Sequence, residues 1–174
     1  MYLLADATVT APCPSADAFA YIADLETFAD WFPGVRSVSS TDALPPATVG
    51  KRYLETVALP GGRTRRIPLV VCAAAAPHRL VTEGALPLLR PRMVIDISAR
   101  GTDRCTIRWR MYSRAGNPLL RWTVVAAAAV VLRRRARRAL RTLAGRLDDQ
   151  GSPIRSPAQP GCRPEQHSRR GHMN

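Results

Sequence analysis

The clearest pattern in the sequence is a strict alternation of apolar and polar residues in two consecutive segments. It runs through residues 92–100, stops at a Gly-Thr-Asp turn, and returns through residues 105–111. A period of two is typical of β-strands that bury one face, so the two segments are predicted to pair antiparallel over a common core. On their outer faces, Asp96 is predicted to form a surface ion pair with Arg108 or Arg110. The apolar positions are Met93, Ile95, Ile97 and Ala99, then Cys105, Ile107, Trp109 and Met111.

Five further segments rich in Val, Leu, Ile and Thr are bounded by turn residues, which predicts strands. They comprise residues 3–10, 35–41, 49–59, 63–75 and 79–83. Pro60-Gly61-Gly62 is a strong turn signal, so the strands on either side of it are predicted to form a hairpin. Pro68 lies inside the second of these strands. Because proline has no backbone N–H, it predicts an edge position or a bulge there.

Two short helices are predicted to follow the first strand. Ser15 comes after a Pro-Cys-Pro break and is the predicted N-cap of the first helix. The apolar residues that follow, Phe19, Ile22 and Ala23, have the spacing of three and four positions that is typical of an amphipathic helix. Asp24 is predicted to cap a second helix over residues 25–32, which Pro33-Gly34 ends.

A long helix is predicted from Pro118 to about Leu147, with the proline tolerated in its first turn. Apolar residues in its second half recur every three or four positions and so share one face. The uncharged run over residues 122–132 is too short to span a bilayer, which needs about 20 residues, and is predicted to be a buried helix segment. The stripe comprises Leu132, Ala136, Ala139, Leu140, Leu143 and Leu147.

Length and charge divide the chain into one domain and a tail. The 174 residues suit a single domain with a hydrophobic core, predicted over residues 3–147. Residues 148–174 are rich in Pro, Gly, Ser and Gln and are predicted to be disordered. The net charge is +13, and residues 133–147 contribute seven arginines and no acid to it. The first fifty residues instead hold six acids and one base, so the molecule is polarised.

Cysteine and histidine give no sign of a metal site. The four cysteines are scattered without a Cys-x-x-Cys spacing, and the three histidines do not cluster with them. We therefore expect reduced thiols, no metal and no cofactor. The first residues lack the basic start and long apolar run of a signal peptide, which favours a cytoplasmic location. A peripheral location at a membrane surface is the alternative.

The order of elements, together with several local motifs, resembles the START-like superfamily, also called SRPBCC, and within it the polyketide cyclase/dehydrase and lipid-transport family. Residues 7–35 resemble that family's opening strand and paired helices, including Trp31-Phe32-Pro33. Residues 49–59 resemble its Val-Gly strand start, and residues 76–84 its Pro-x-Arg-Leu-Val strand start. TIRWRMYS and the Gly-Asn-Pro-Leu-Leu after it resemble the last strand and the start of the last helix. The resemblance covers residues 3–147.

The resemblance implies an α+β helix-grip fold. In it, a curved antiparallel sheet of about seven strands wraps around the long C-terminal helix, and two short helices follow strand 1. An apolar cavity between sheet and helix opens near the short helices. Members of the family bind sterols, lipids, polyketides or quinones, and some are enzymes. Their catalytic residues vary too much for any to be carried over by motif.

Aromatic residues suggest where a ligand would lie. Phe19 and Phe32 are predicted to pack the short helices on the sheet, whereas Phe28 and Trp31 are candidates for the cavity mouth. The full set of predicted ligand-binding residues is Phe28, Trp31, Tyr53, Ile95, Ile97, Trp109 and Met111.

Glu55 is the one candidate for acid or base chemistry. Tyr53 and Glu55 share one face of their strand, and Leu54 lies on the other. If the first face is concave, Glu55 is a buried carboxylate with a raised pKa. The default interpretation is the reverse, with Glu55 exposed and Leu54 inside.

The arginine run has three interpretations. A solvated basic face is the default, binding to an anionic membrane surface comes second, and nucleic acid is third because no DNA-binding motif or interleaved aromatics accompany it. The candidate anion-binding residues are Arg133, Arg134, Arg137, Arg138 and Arg141.

Three functions follow from these features. The favoured one is binding of a hydrophobic small molecule that is polyketide-, lipid- or quinone-like. The first alternative is an enzyme of polyketide cyclase or dehydratase type, which needs a titratable group converging on the cavity. The second is a membrane-surface adaptor with a closed cavity and a continuous basic face.

Overall fold

Seven antiparallel strands form one curved sheet in the computed structural model, which describes residues 1–116 and 126–151. The spatial order of the strands is β1-β7-β6-β5-β4-β3-β2, so β1 and β2 are the edges. Each consecutive pair from β2 to β7 is a hairpin, and β1 closes against β7. The strands are β1 Tyr2–Ala11, β2 Val35–Ser40, β3 Arg52–Ala58, β4 Thr64–Ala75, β5 Arg79–Gly84, β6 Pro91–Ala99 and β7 Cys105–Ser113.

The predicted pairing of the two alternating segments is confirmed. Met93 lies opposite Met111, and Ile95 lies opposite Trp109, so the apolar faces of β6 and β7 coincide on the concave side of the sheet. Their side chains belong to the main hydrophobic core. Ala99 is the exception, because the last residues of β6 extend past the core and are exposed.

The long helix, α3, is described over Ala126–Gly151 and packs on the concave side of the sheet, mainly against β1. Its predicted stripe is confirmed. Leu132 is half-buried, and the others are almost fully buried, namely Ala136, Ala139, Leu140, Leu143 and Leu147.

Two predictions about α3 were wrong. The helix continues to Gly151, so the first residues assigned to the disordered tail are helical; residues 152–174 and the predicted helix start at Pro118 lie outside the described residues. The segment 122–132 is not a buried helix segment in its described part, residues 126–132. Val130 is 56% exposed and Val131 is 48% exposed, because both lie on the side of α3 opposite the stripe.

The short helices follow the predicted order with one correction. Helix α1 is Ser15–Ala23, a 3₁₀ turn covers Leu25–Thr27, and α2 is Phe28–Trp31. Ser15 is the first helical residue rather than the N-cap, and the residue before it, a proline, provides no side-chain cap. Asp24 does cap the 3₁₀ turn, since its Oδ1 accepts a hydrogen bond from Glu26 N at 3.1 Å.

A glycine at the end of α2 connects the short helices to α3. Gly34 has a φ of +96°, which favours glycine, and the guanidinium of Arg135 lies against it. A Cβ at this position would be 2.5 Å from Arg135 Nη1. The close approach holds the end of α2 to the middle of α3.

Pro68 lies on an interior strand, because β4 pairs with both β3 and β5, so the predicted edge position was wrong. The irregularity in β4 lies between Val71 and Ala73 and not at Pro68. The carbonyl of Pro68 accepts a hydrogen bond from Ala85 N at 2.9 Å, just beyond the end of β5. Because β5 ends at Gly84, the position of Pro68 lies beyond the last pair of the β4–β5 ladder, and the N–H that proline lacks has no partner there to satisfy.

Ion pairs cover the convex face of the sheet. Asp96 pairs with Arg110, as predicted, and also with Arg79. Arg108 pairs instead with Asp6 of β1, and the guanidinium holds the pKa of that carboxyl below its usual value. These partly exposed pairs contribute little stability and mainly align neighbouring strands.

Truncation of the α3 stripe tests the importance of the helix–sheet contact. Leu143→Ala is expected to lower the free energy of unfolding by about 3 kcal/mol, because Leu143 is completely buried. Leu44→Ala is the matched control, since Leu44 is 43% exposed, and its expected effect is below about 0.5 kcal/mol. Urea denaturation measures both; equal effects would mean that the stripe does not hold the fold.

Candidate functional site

A small cavity lies between the concave face of the sheet and the short helices. The residues around it come from seven separate elements, namely the 3₁₀ turn, α2 and the strands β3 to β7. Most of the lining is apolar, and Glu55 and Thr82 are its polar side chains. The lining residues are Leu25, Phe28, Glu55, Leu69, Thr82, Gly84, Pro91, Met93 and Met111.

The cavity is small, and no residue in the described part of α3 lines it, whereas the resemblance implied a cavity between the sheet and the C-terminal helix. Its volume is about 40 Å³, which is close to the share of one water in liquid, roughly 30 Å³. Sites for drug-sized ligands measure roughly 300–1,000 Å³. Occupation by a hydrophobic molecule therefore requires side chains of the lining to move outward.

Glu55 faces this cavity, so the default interpretation of an exposed carboxylate was wrong. It is 8% exposed, whereas Leu54 on the other face of β3 is half-buried. The register explains why, because Glu55 lies opposite Val38 of β2 and Ile67 of β4, both of which are buried.

The electrostatic environment of Glu55 is that of an acid kept away from water and countercharge. Within the described residues its carboxyl makes neither a hydrogen bond nor an ion pair. Burial alone raises its pKa from the usual 4.5 to about 7. Near neutral pH the side chain therefore exists as both acid and carboxylate, which is the condition for proton transfer in either direction.

Four aromatic rings form a continuous cluster beside the cavity. Phe28 lies edge-on to Trp31 at 4.7 Å between centroids and stacks on Phe32 at 4.9 Å. Phe32 in turn lies 5.2 Å from Trp109 of β7. All four side chains are buried, so the cluster joins α2 to the sheet, and only Phe28 lines the cavity directly.

Several polar atoms in this core have no hydrogen-bond partner. The indole nitrogens of Trp31 and Trp109 and the hydroxyl of Tyr53 are buried in this way. Burial raises the pKa of Tyr53 to about 12, so its hydroxyl stays protonated. Buried polar groups normally find partners, and leaving one without a partner costs about 1–3 kcal/mol.

The ammonium group of the buried residue Lys51 lies against the ring face of Tyr53. Lys51 Nζ lies 5.1 Å from the centre of the Tyr53 ring. The ammonium group donates hydrogen bonds to Ser40 Oγ at 2.5 Å and to Asp42 Oδ1 at 3.2 Å. This network ties the residue before β3 to the end of β2 and to the turn that follows it.

The predicted ligand-binding residues fall into two groups. Phe28 and Met111 line the cavity. The others belong to the buried core around it without lining it, namely Trp31, Tyr53, Ile95, Ile97 and Trp109.

Sequence reasoning missed several residues that line the cavity. Met93 was on the predicted inward face, and its pairing with Met111 in the hairpin would have identified it as a lining residue. Thr82 could have been found from the same pattern, because it lies opposite Met93 in the next strand. The remaining lining residues could not be found in this way, because their positions depend on how the short helices meet the ends of the strands, and no residue spacing indicates that. They are Leu25, Leu69, Gly84 and Pro91.

The basic residues of α3 form a separate surface. All five predicted anion-binding residues are exposed, and none has an ion-pair partner in the described part of the chain. They do not line the cavity. They are Arg133, Arg134, Arg137, Arg138 and Arg141.

Residues 1–116 and 126–151 form neither a metal-binding cluster nor a helix that could span a membrane. No group of three or more His, Cys, Asp or Glu side chains there is arranged to hold a metal ion. No helix in those ranges is both long enough and apolar enough to cross a membrane.

Comparison with protein families gives one match over most of the chain. The profile of the family described as polyketide cyclase/dehydrase and lipid transport matches residues 4–148. That range includes β2 to β7, the short helices, and all but the first two residues of β1 and the last three of α3. Comparison with the curated proteins found no match.

Solved structures share the architecture at low sequence identity. The protein TTHA0849 from Thermus thermophilus is 13% identical, with a TM-score of 0.68 over 85% of this chain and 99% of that one. A START superfamily protein from Mycobacterium smegmatis is 14% identical, with a TM-score of 0.66 over 86% and 99%. The di-domain ARO/CYC StfQ from the steffimycin biosynthetic pathway is 14% identical, with a TM-score of 0.62 over 86% of this chain and 52% of that one. At these identities the likeness establishes the START-like helix-grip fold.

The raised pKa of Glu55 makes a prediction about stability. Because the folded-state pKa of about 7 lies above the usual 4.5, the folded protein holds a proton that the unfolded chain has lost between these values. The free energy of unfolding should therefore fall as pH rises from about 4.5 to 7, by roughly 3 kcal/mol, and stay level above that.

Glu55→Gln should remove this dependence, because glutamine does not titrate. Urea denaturation from pH 4.5 to 8 should show the variant gaining stability relative to the wild type as pH rises. Asp103→Asn, which removes an exposed carboxyl in the β6–β7 turn, is the control. Parallel profiles for Glu55→Gln and wild type would contradict the assignment of a raised pKa.

Proposed function

The chain belongs to the polyketide cyclase/dehydrase and lipid transport family, and from this membership and the cavity geometry we propose that it binds a hydrophobic small molecule between its sheet and its short helices. The family supports a role in hydrophobic ligand binding or cyclisation. The proposed ligand class is an apolar molecule with several oxygen atoms, such as a polyketide- or quinone-like compound or an oxygenated lipid.

The observation that carries this proposal is the set of unpartnered polar groups in an otherwise apolar core. Two indole N–H groups and a phenol can donate hydrogen bonds. Glu55 adds a carboxyl that donates when protonated and accepts when ionised. Glu55 lines the cavity, whereas the two indoles and the phenol lie in the core beside it. A ligand with carbonyl and hydroxyl groups would therefore supply partners to Glu55 directly, and to the other groups once it had displaced Phe28 and lay against the aromatic cluster.

The short helices provide the route by which the cavity can enlarge. Phe28 closes the cavity from α2, which has only four residues and no side-chain cap at its start. A helix of this length has little stability of its own and depends on the packing of its rings. We expect a ligand to displace Phe28 and take over its contacts with the aromatic cluster.

Ligand binding is tested by native mass spectrometry of the purified protein and by titration with the apolar fluorescent probe 1-N-phenylnaphthylamine. One probe per chain is expected. Gly84→Ala should weaken binding on the order of tenfold, because the added methyl would lie 2.9 Å from Pro91 Cγ and 3.2 Å from Leu69 Cδ2 in the cavity wall.

Gly145→Ala is the matched control for that substitution. Gly145 lies on α3 with no atom close to an added methyl, so its binding should equal the wild type. A protein that takes up neither an endogenous molecule nor the probe, or a probe that binds Gly84→Ala as well as wild type, would overturn the cavity as the binding site.

A second candidate function is catalysis of cyclisation, and the position of Glu55 favours it. As a carboxylate, Glu55 would remove a proton from a methylene between two carbonyls of a polyketide chain. The enolate carbon would attack a distant carbonyl carbon of the same chain and form a carbon–carbon bond. The protonated Glu55 would return its proton to the resulting alkoxide, which gives a β-hydroxy ketone without any other reactant. A pKa near 7 suits both transfers.

The test of catalysis separates chemistry from binding. With a poly-β-ketone as substrate, Glu55→Gln should lower the cyclisation rate at least about 100-fold while probe affinity changes little, because the amide keeps the size of the side chain but cannot take the proton. Thr82→Val, which alters the other polar group of the lining, should keep most of the rate. A Glu55→Gln variant with full activity would leave only the binding function.

A further inference from the structure

One end of the molecule has an apolar surface that the ligand-binding proposal does not use. A second, small hydrophobic core lies where the start of β1, the loop before β6, the end of β7 and the described start of α3 meet. It is built from Leu4 and Ala115, with Tyr2, Leu89, Ala129 and Leu132 packed against them.

Exposed apolar residues adjoin the members of this small core along the chain. Each of them is the immediate chain neighbour of a residue in it, and each is between 48% and 69% exposed. They account for five of the eight large apolar side chains that are exposed in the described residues, so the concentration is not a general property of the surface. We call these five residues the apolar end: Met1, Leu3, Leu88, Val130 and Val131.

Leu88 is held outward by a well-anchored loop. Its φ of +69° lies in the left-handed region that a bulky side chain rarely adopts. The loop is fixed on both sides of it, because Ser113 Oγ donates a hydrogen bond to Leu89 O at 2.7 Å and Arg90 N donates one to Leu86 O at 2.8 Å. The backbone therefore presents Leu88 to solvent instead of letting it fold back on the core.

Arginines border the apolar end and have no acidic partners. Arg90 follows the loop, and Arg133 and Arg134 follow the exposed valines; within the described chain all three are exposed and make no ion pair. On α3 the spacing of three and four continues the outward stripe from Val131 through further arginines. From its first to its last member this stripe spans about 21 Å. Its members are Ala127, Val131, Arg134, Arg138 and Arg141.

We propose that this end docks on the surface of a lipid bilayer that contains anionic lipids. Val130, Val131 and Leu88 enter the boundary between headgroups and acyl chains, and the arginines contact the phosphates. The charge is complementary to such a surface and the apolar side chains lie where the basic stripe begins, which is the arrangement of interfacial segments. The contact is peripheral, and it does not depend on whether the cavity holds a ligand.

The experiment is flotation of the full-length protein with vesicles of phosphatidylcholine and phosphatidylglycerol in equal parts, and with pure phosphatidylcholine. Binding is expected to the anionic vesicles only and to fall steeply between low and physiological salt. The double variant Val130→Ser and Val131→Ser should lower the partition coefficient on the order of tenfold. Val49→Ser is the matched control, because Val49 is also well exposed but lies in the β2–β3 connection.

The arginines are tested in the same assay. Arg134→Gln with Arg138→Gln should lower partition at least roughly tenfold, on the basis of the attraction of each cation to an anionic surface. Arg65→Gln with Arg66→Gln, which removes two exposed arginines from β4, should change it little. Far-UV circular dichroism checks that every variant remains folded.

Several results would overturn the proposal. Absence of binding to anionic vesicles at low salt is one of them. Wild-type binding by the double valine variant is another, because it would mean attraction by charge alone. A third is a dimer in light scattering that the valine variant dissociates while vesicles do not bind, since the apolar end would then be covered by a second copy. Binding to short duplex DNA without vesicle binding would assign the arginines to nucleic acid instead.

Discussion

The packing of the α3 stripe into the concave face of the sheet is the contact on which the other features depend. Leu140, Leu143 and Leu147 belong to the same core as the inward residues of β6 and β7 and the rings of α2. Because the stripe is narrow, the opposite side of α3 is free to carry charge, and it does. The helix thus completes the core on one side and forms a separate surface on the other.

The packed core contains only a small cavity beside the aromatic cluster, yet several of its buried polar groups have no hydrogen-bond partner. The aromatic cluster packs beside the cavity, whose volume is about 40 Å³. The same region buries Glu55 without a partner and three further polar atoms without hydrogen bonds. Native cores rarely keep such groups for stability, so their presence together favours a functional origin.

The sequence predicted the parts of the fold in which one residue pattern dominates. Strict alternation gave the faces of β6 and β7, and the leucine spacing gave the buried side of α3. It failed for Glu55 because the faces of β3 are both mixed, with Tyr53 and Glu55 on one and Leu54 and Thr56 on the other. The choice is made by the neighbours Val38 and Ile67, which pair with Glu55 only in the folded sheet. The cavity volume also depends on side-chain packing, which spacing does not encode.

The contact between Gly34 and Arg135 gives the molecule a mechanical linkage. Gly34 lies three residues after the end of the short helix that carries Phe28, and Arg135 lies one turn from Val131 on α3. The loop behind the aromatic cluster and the outer helix are thus in contact through one glycine and one guanidinium. Any side chain larger than hydrogen at position 34 would force these two parts of the molecule apart, so the spacing between the interior of the protein and its basic surface depends on the absence of a single methyl group.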